Sequence, residues 1–392
     1  MKDPAYILEG RRLPVGAFLG SLSRLGPVEL GVLAAQAAIE AASVDPGAVS
    51  SIICGNVVPS GPESLYLARH VGLKAGLPIS ASALNVNRLC GSGLEAIAQA
   101  AHQIRAGEDL SLACGVESMS QSPYLAAGAR TGIRYGDGKL IDLLSSALTD
   151  PYIGQAMGRT AETLAQEYGI SRQDQDAWAL VSQTRAEAAQ KSGKLSDEIK
   201  SVQVKDGKEM KVFDRDEFVR GTAAGAKLAG LAPAFLENGT VTAGNASGIN
   251  DGASAVVVCS ERYLQSSGKK PLAKILGWAS RGCPPEKMGI GPVHAIPAAL
   301  ASAGIQQEQI QLWEINEAFA AQYLAVAKSL KLDPEITNVN GGAIAIGHPL
   351  GASGNRILLG LAKELRRRKL KYGCASLCIG GGQGIAMVIE SV

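Results

Sequence analysis

The sequence predicts an α/β protein built from two similar halves, with an extra segment inserted into the first. Three observations lead there. Strand-like and helix-like runs alternate along the chain, as they do where buried sheets are covered by helices. Short segments of the first half recur in the second in the same order, which argues for an internal duplication. The second half also passes at once between two strands that the first half separates by a long stretch.

Taken in order, the chain runs from Met1-Lys2-Asp3-Pro4 directly into strand-like Ala5-Tyr6-Ile7-Leu8. Gly26-Pro27-Val28 opens an alanine-rich helix (Leu33 to Ala42), and Val49 to Gly55 reads as a strand. Their counterparts are Gly291-Pro292-Val293 with a helix from Ile296 to Ala303, then a strand from Ile310 to Asn316. Ala83 to Val86 is the end of a short strand. Asn85-Val86-Asn87 recurs as Asn338-Val339-Asn340, each ahead of a glycine-rich turn and a helix. The first of those helices has apolar residues at Leu94, Ile97, Ala98, Ala101 and Ile104, the three-four spacing of a helix with one buried face. Ser111-Leu112-Ala113-Cys114-Gly115 recurs as Ser376-Leu377-Cys378-Ile379-Gly380. In the second half this leads straight into a strand from Ile385 to Ile389. In the first, the matching strand from Ala253 to Cys259 comes only after an inserted loop domain at about 118–249. The insertion has helices from Ala161 to Tyr168 and from Arg172 to Ser192. It also has a hairpin, Thr131 to Tyr135 and Lys139 to Leu143, turning at Gly136-Asp137-Gly138. The polar stretch Ser260 to Lys270 divides the chain into an N-terminal half, 1–268, and a C-terminal half, 269–392.

The 392 residues are 46% hydrophobic, enough for a large core. With 38 basic and 36 acidic residues the net charge is +2, which leaves no electrostatic footprint for nucleic acid or an anionic membrane. Aromatics are 4% and glycines number 47, a composition for close helix–sheet packing and backbone-lined loops. The seven cysteines are odd in number and scattered, which argues against a disulfide framework. Four histidines without a paired CxxC give no zinc signature. There is no signal-peptide apolar region, membrane-length apolar run or C-terminal peroxisomal address, so the expected compartment is the reducing cytoplasm.

The chemistry centres on Cys90, at a strand-to-helix turn framed by Gly91-Ser92-Gly93. Glycines let the backbone bend and a ligand approach, and a helix N-terminus favours thiolate. Cys90 is therefore the expected nucleophile, and it needs a base. His70 and His102 lie in helix-like surroundings and His294 near a helix start. His348 instead sits in the glycine-lined loop from Gly341 to Gly354, at the place in the second half that the Cys90 loop holds in the first. Pseudo-symmetric halves bring those two loops face to face, so His348 is the expected base. Cys378 opens a glycine-rich loop at a strand end, and Asn316 opens Asn316-Glu317-Ala318-Phe319-Ala320 at another. An amide there can hold a water or orient a base; for Glu317 the alternative is simply an acid in a helix first turn, favoured by the dipole. The glycine runs match neither GxGxxG nor GxxxxGK[ST] at the required spacing, so NAD and ATP are poor fits.

Over essentially its whole length the sequence resembles the thiolase family, in particular its acetyl-CoA C-acetyltransferase members. The motifs are Asn87-Arg88-Leu89-Cys90-Gly91-Ser92-Gly93, Gly115-Val116-Glu117-Ser118-Met119-Ser120, Gly239 to Gly252, Met288-Gly289-Ile290-Gly291-Pro292, Asn316 to Ala320, the His348 loop, and Cys378-Ile379-Gly380-Gly381-Gly382. The resemblance implies two βαβαβαββ halves in a five-layered α-β-α-β-α core with a loop domain in the first half. It implies that Cys90 carries an acyl group as a thioester after His348 draws off its proton. Cys378 would then exchange the α-proton of a second acetyl-CoA. One oxyanion site would be His348 with a water on Asn316, the other the backbone N–H groups of Cys90 and Gly380. Coenzyme A contacts would be Leu148, Met157, Arg220, Phe235, Ala243, Ala246, Ser247, Met288, Ala318 and Phe319, with Lys227 beside Arg220 for the nucleotide phosphates.

The implied reaction is the reversible condensation of two acetyl-CoA to acetoacetyl-CoA and CoA. No cofactor would be permanently bound, no metal would take part, and coenzyme A thioesters would be the substrates. Cleavage of longer 3-ketoacyl-CoA chains is the alternative, and a non-catalytic acyl-CoA-binding scaffold is the alternative of another class. Ala156-Met157-Gly158 stands where many short-chain members have His-Met-Gly, and Lys227 where serine is common. The resemblance further implies a homotetramer of tight dimers, joined through the Thr131 to Leu143 hairpin, in which Ile133 and Tyr135 alternate with Arg134.

Overall fold

The structure, a computed structural model, describes residues 3–133 and 135–392. The first half contains β1 (Ala5–Arg12), β2 (Gly16–Ala17), α1 (Pro27–Ala42), β3 (Ser51–Gly55), α2 (Leu67–Lys74), β4 (Ser82–Val86), α3 (Ser92–Arg105) and β5 (Leu110–Ser118). Next come β6 (Tyr124–Ala126), β7 (Leu140–Asp142), α4 (Leu143–Ala147), β8 (Thr149–Asp150), β9 (Gln155–Ala156), α5 (Met157–Tyr168), α6 (Arg172–Lys191), β10 (Val202–Asp206), β11 (Glu209–Phe213) and α7 (Gly225–Leu228). The chain returns to the core with β12 (Asn250–Ser260), α8 (Glu261–Ser267), β13 (Ala273–Gly282), α9 (Gly291–Ala303), β14 (Leu312–Ile315) and α10 (Ala320–Leu330). It closes with α11 (Ala343–Ile346), α12 (Leu350–Arg368), β15 (Tyr372–Ile379) and β16 (Gln383–Ser391).

The two halves repeat one sheet pattern. In the first, β4, β3 and β5 are parallel, and β12 and β1 continue antiparallel. In the second, β14 and β15 are parallel, and β16 and β13 continue antiparallel. The counterpart of β4 is reduced to one parallel bridge between Trp313 and Thr337. β1 and β13 join the sheets through the pairs Ala5–Ile275, Tyr6–Lys274 and Ile7–Ala273.

Side-chain alternation along each strand decides what it covers. On β12, Ala253, Ala255, Val257 and Cys259 pack with α1 and α2, while Val256 and Val258 pack with α3 and α12. On β15, Cys374 packs with α9 and α10, while Ala375, Leu377 and Ile379 pack with α3 and α12. Five layers result, helix–sheet–helix–sheet–helix, as the resemblance implied. The central layer is α3 and α12. Leu94, Ile97, Ala98, Ala101 and Ile104 of α3 are buried as expected, but so are Ala96 and Ala100. A helix with a sheet on either side has no solvent face to spare for most of its length.

The α3–α12 crossing is backbone against backbone. A Cβ on Gly93 would lie 2.7 Å from both Asn355 N and Gly351 O, so only glycine fits without moving a helix. Cys90 stands just before α3 and His348 just before α12, so this crossing sets how the two loops meet.

The hairpin of the insertion differs from expectation. Its strands are β6 and β7, paired Tyr124–Asp142, Leu125–Ile141 and Ala126–Leu140. Thr131 to Ile133, and Tyr135, belong to the connecting loop, and Arg134 lies outside the described residues. Gly128, Gly132 and Gly136 take φ of 79°, 81° and 79°, left-handed backbone that an extended strand cannot contain.

Candidate active site

Cys90 follows β4 at a tight turn. Leu89 has φ 47°, an uncommon conformation for a residue with a branched side chain. Ser92 holds the turn: its Oγ accepts from Arg88 N at 2.8 Å and donates to Leu89 O at 2.7 Å. Gly91 lies against β15 and β16, and a Cβ there would come within 2.6 Å of Ile379 Cδ1. Cys90 packs with Met119, Leu144, Leu148 and Leu350. Its place near a helix N-terminus does not lower its pKa. Burial dominates and pushes the thiol up to about 11, although the backbone N–H groups of Gly380 and of Cys90 itself pull the other way.

Cys378 is buried near the end of β15, in a cluster with Met157, Met288, Ala318 and Phe319. Burial pushes its thiol well above the usual range, and the neighbouring Cys90 is the next cause. The two sulfurs are thus electrostatic neighbours, and ionising one opposes ionising the other. Gly380, just beyond β15, approaches Met157; a Cβ there would sit 3.2 Å from Met157 Sδ.

His348 is 4% exposed, and its backbone N–H and both ring nitrogens are engaged. Its backbone N–H donates to Asn250 Oδ1 at 2.9 Å, Nδ1 lies 2.6 Å from Ser353 Oγ, and Nε2 lies 3.3 Å from Asn316 Nδ2. Burial first, then the Arg356 cation, brings its pKa down to about 3, so the ring is a neutral imidazole. Asn316 follows β14, its N–H donating to Ser376 O at 2.9 Å. Its Oδ1 is buried with no partner among the described residues.

Two buried carboxylates brace these loops. Glu117 accepts from Val57 N at 3.1 Å, Val58 N at 3.0 Å and Gly351 N at 2.7 Å, tying the loop after β3 to the start of α12. Burial pushes it up to about 7. Glu317 is not a first-turn acid, because α10 begins only at Ala320. It accepts from Trp178 Nε1 at 3.1 Å, Ser182 Oγ at 2.7 Å and Asn338 Nδ2 at 2.8 Å, which ties the Asn316 loop to α6.

A cavity of about 620 Å³ opens between the insertion and the core, with His348 in its wall. Of the expected coenzyme contacts, Leu148, Met157, Arg220, Phe235, Ala243, Ala246, Ser247 and Phe319 line it. Met288 and Ala318 are buried behind that wall, and Lys227 is exposed on α7 and not part of it. Phe235 and Phe319 meet edge to face at 6.0 Å. Arg220 is exposed, its guanidinium 5.5 Å from the Phe218 ring. Apolar Met119, Leu144, Ile249 and Leu350 extend the wall toward Cys90. Of the other histidines, His70 stacks on Tyr66 and His102 meets the Trp278 edge, and His294 lies in α9. None of them lines the cavity.

Sequence reasoning missed Asn250, Ser353 and the bracing role of Glu117 and Glu317. The available signal was a set of small polar and acidic residues inside apolar or glycine-rich runs, where burial obliges a polar group to bond. Among the described residues no group of three or more His, Cys, Asp or Glu is arranged to hold a metal, and no helix is long and apolar enough to cross a membrane.

Comparison with known proteins identifies the family. The family described as "Thiolase, N-terminal domain" matches residues 5–262, and "Thiolase, C-terminal domain" matches 269–391. An acetyl-CoA acetyltransferase of Chromobacterium violaceum is 49% identical over 387 residues, 98% of each chain. A mitochondrial 3-ketoacyl-CoA thiolase of Rattus norvegicus is 47% identical over 388 residues, again 98% of each. The crystal structure of human mitochondrial 3-ketoacyl-CoA thiolase in complex with CoA superposes with a TM-score of 0.96 at 47% identity, covering 100% of this chain and 98% of that one. With both family domains matched in order and the five-layered fold shared, the chain belongs to the thiolase family.

Proposed function

We propose that this thiolase condenses two acetyl-CoA molecules reversibly to acetoacetyl-CoA and CoA through an acyl-Cys90 intermediate. The observation that carries the reading is one of position. Cys90 and Cys378, from opposite halves, pack in the two apolar clusters that form the wall of the His348 cavity. In the first step the Cys90 sulfur attacks the thioester carbon, His348 Nε2 takes the thiol proton, and CoA leaves carrying that proton. Charge on the thioester oxygen is taken by the N–H groups of Cys90 and Gly380. In the second step the Cys378 thiol proton passes to His348, and the thiolate removes an α-proton from the second acetyl-CoA. The enolate charge falls on His348 and a water held by Asn316. The carbanion then attacks the acyl carbon, and Cys90 leaves as thiolate and recovers the proton from His348. Acylation comes first because an acylated Cys90 no longer opposes the Cys378 thiolate.

Coenzyme A as the bound group is supported by the apolar wall with Arg220 at its exposed side. A second reading, cleavage of longer 3-ketoacyl-CoA chains, is favoured by the apolar extension at Met119, Leu144, Ile249 and Leu350. Rates across a series of 3-ketoacyl-CoA chain lengths separate the two. The mechanism is tested with labelled acetyl-CoA. Cys90→Ser takes up no label, while Cys378→Ala takes up label but does not condense. Normal labelling of Cys90→Ser refutes the assignment, and absence of CoA-dependent loss of acetoacetyl-CoA in the parent protein points to a binding scaffold.

The halves are assigned as 1–268 and 269–392 with the loop domain at about 118–249, a division supported by β5 ending at Ser118 and β12 beginning at Asn250. A homotetramer of dimers is supported by two surfaces. β4 is exposed from Ser82 to Asn85 at a sheet edge, an arrangement that invites pairing. The β6–β7 arm exposes Tyr124, Leu125, Leu140 and Ile141. A cytoplasmic setting is supported by seven free cysteines.

A further inference from the structure

We infer that Ser353 is a positioning residue that fixes the tautomer of His348, keeping the proton on Nδ1 and the lone pair on Nε2. The inference rests on the reading of His348 as the base for Cys90. Ser353 Oγ lies between two groups, 2.6 Å from His348 Nδ1 and 2.9 Å from Pro349 O. A carbonyl oxygen only accepts, and the hydroxyl has one proton to give. With that proton directed to Pro349 O, Oγ has only lone pairs to offer the ring, so Nδ1 must be the donor. The neutral imidazole then has its lone pair at Nε2. On that side Asn316 Nδ2 stands at 3.3 Å, an N–H donor that a bare Nε2 accepts and a protonated one repels.

Burial makes the arrangement decisive. Ser353 is 0% exposed and His348 4%, so bulk water does not compete for either ring nitrogen. Ser353 lies one helical turn beyond Pro349 on α12, so the residue that sets the tautomer is held by the same helix that carries the His348 loop. When Nε2 takes the Cys90 proton, the ring becomes a cation and Nδ1–H donates more strongly to Oγ. Ser353 therefore contributes before and during the transfer while touching neither sulfur nor substrate. The distinction between the ring nitrogens is set by the hydrogen bond that the other one makes.

The test measures acyl-enzyme formation under single turnover, with KM for acetyl-CoA and the pH profile, in Ser353→Ala, Ser353→Cys and Ser353→Thr. Alanine removes the acceptor; cysteine fills the space of serine but accepts poorly, and keeps the test open if the alanine protein is unstable. Both slow acylation by about tenfold, the upper end of what one neutral hydrogen bond supplies, with KM unchanged. Threonine, which retains the hydroxyl, recovers most of the rate. Equal slowing in all three variants overturns the inference in favour of packing, as does a wild-type rate in Ala or Cys. In the parent protein, ¹⁵N-labelled histidine reads the tautomer directly, and a proton resting on Nε2 of His348 also overturns it. Loss of the underlying reading is distinguishable, because His348→Ala would then acylate normally.

Discussion

Gly93→Ala tests whether the helix crossing in the central layer sets the reaction geometry. The added Cβ would stand 2.7 Å from Asn355 N and Gly351 O, where ordinary contact begins at 3.4 Å. Both neighbours are backbone atoms of α12, so no side chain can swing aside. The crossing must open by about 0.7 Å, and overpacking of this kind costs about 1–3 kcal/mol. Opening it moves the Cys90 loop relative to the His348 loop. Since a misplacement of about 1 Å can cost roughly 100-fold in rate, kcat should fall on the order of tenfold or more. KM should change little, because the cavity walls come largely from the insertion. The assay is urea unfolding together with steady-state thiolysis. Gly230→Ala serves as the control, since its Cβ would meet nothing closer than Lys227 O at 3.7 Å. A Gly93→Ala protein with parental stability and kcat would refute the argument that this crossing positions the chemistry.

Three further outcomes follow from the same geometry. With the Cys90 thiol near 11, iodoacetamide alkylation of the free enzyme at Cys90 should rise about tenfold per pH unit from 7 to 9; a plateau below pH 9 contradicts it. His348 is held at about 3 in the fold against 6.5 ordinarily. As pH falls from 6.5 toward 3 the unfolded chain gains a proton that the folded chain refuses, so stability drops by about 1.4 kcal/mol per unit across that window. His348→Asn should therefore show a flatter acid-side decline in urea midpoint, and an unchanged slope argues against a buried neutral ring. Replacing residues 127–139 by an Asn-Gly turn should leave an active dimer by light scattering. An unchanged tetramer, or a parent that is already dimeric, removes the arm from the assembly.

The duplication was legible because it is written in the chain twice. Gly26-Pro27-Val28 and Gly291-Pro292-Val293 do open α1 and α9, and the Cys90 and His348 loops do lead into the paired helices of the central layer. The insertion hairpin was misplaced for a physical reason. Ile133 and Tyr135 alternate as a strand does, but a Gly every few residues, at positive φ, turns the chain before a ladder can form. β13 shows no clean alternation because its register shifts between Ile275 and Gly277, so that Ala273, Ile275 and Trp278 pack with α3 and α12 while Leu276 and Ala279 pack with α9. A strand joining two sheets shows weak alternation, and the sequence signal fades accordingly.

The partners of the site residues were harder to read, since they depend on how the duplicated loops diverged. Asn85 and Asn338 occupy equivalent places, and each side chain bonds backbone groups on both sides. Asn85 takes Ala68 N and gives to Leu65 O, closing the N-terminal end of α2. Asn338 takes Ile315 N and gives to Ile315 O and Glu317, at the residue before Asn316. One copy of the motif thus supports a helix at the surface, and the other fixes the strand end from which Asn316 reaches His348. The same division holds for the loops that follow. In the first half the turn is held by Ser92 bonding backbone at Arg88 and Leu89, and the Cys90 sulfur is left with backbone N–H groups. In the second, Ser353 bonds the imidazole itself. On the proposed reading, the serine of the loop that carries the nucleophile serves the backbone, and the serine of the loop that carries the base serves the side chain.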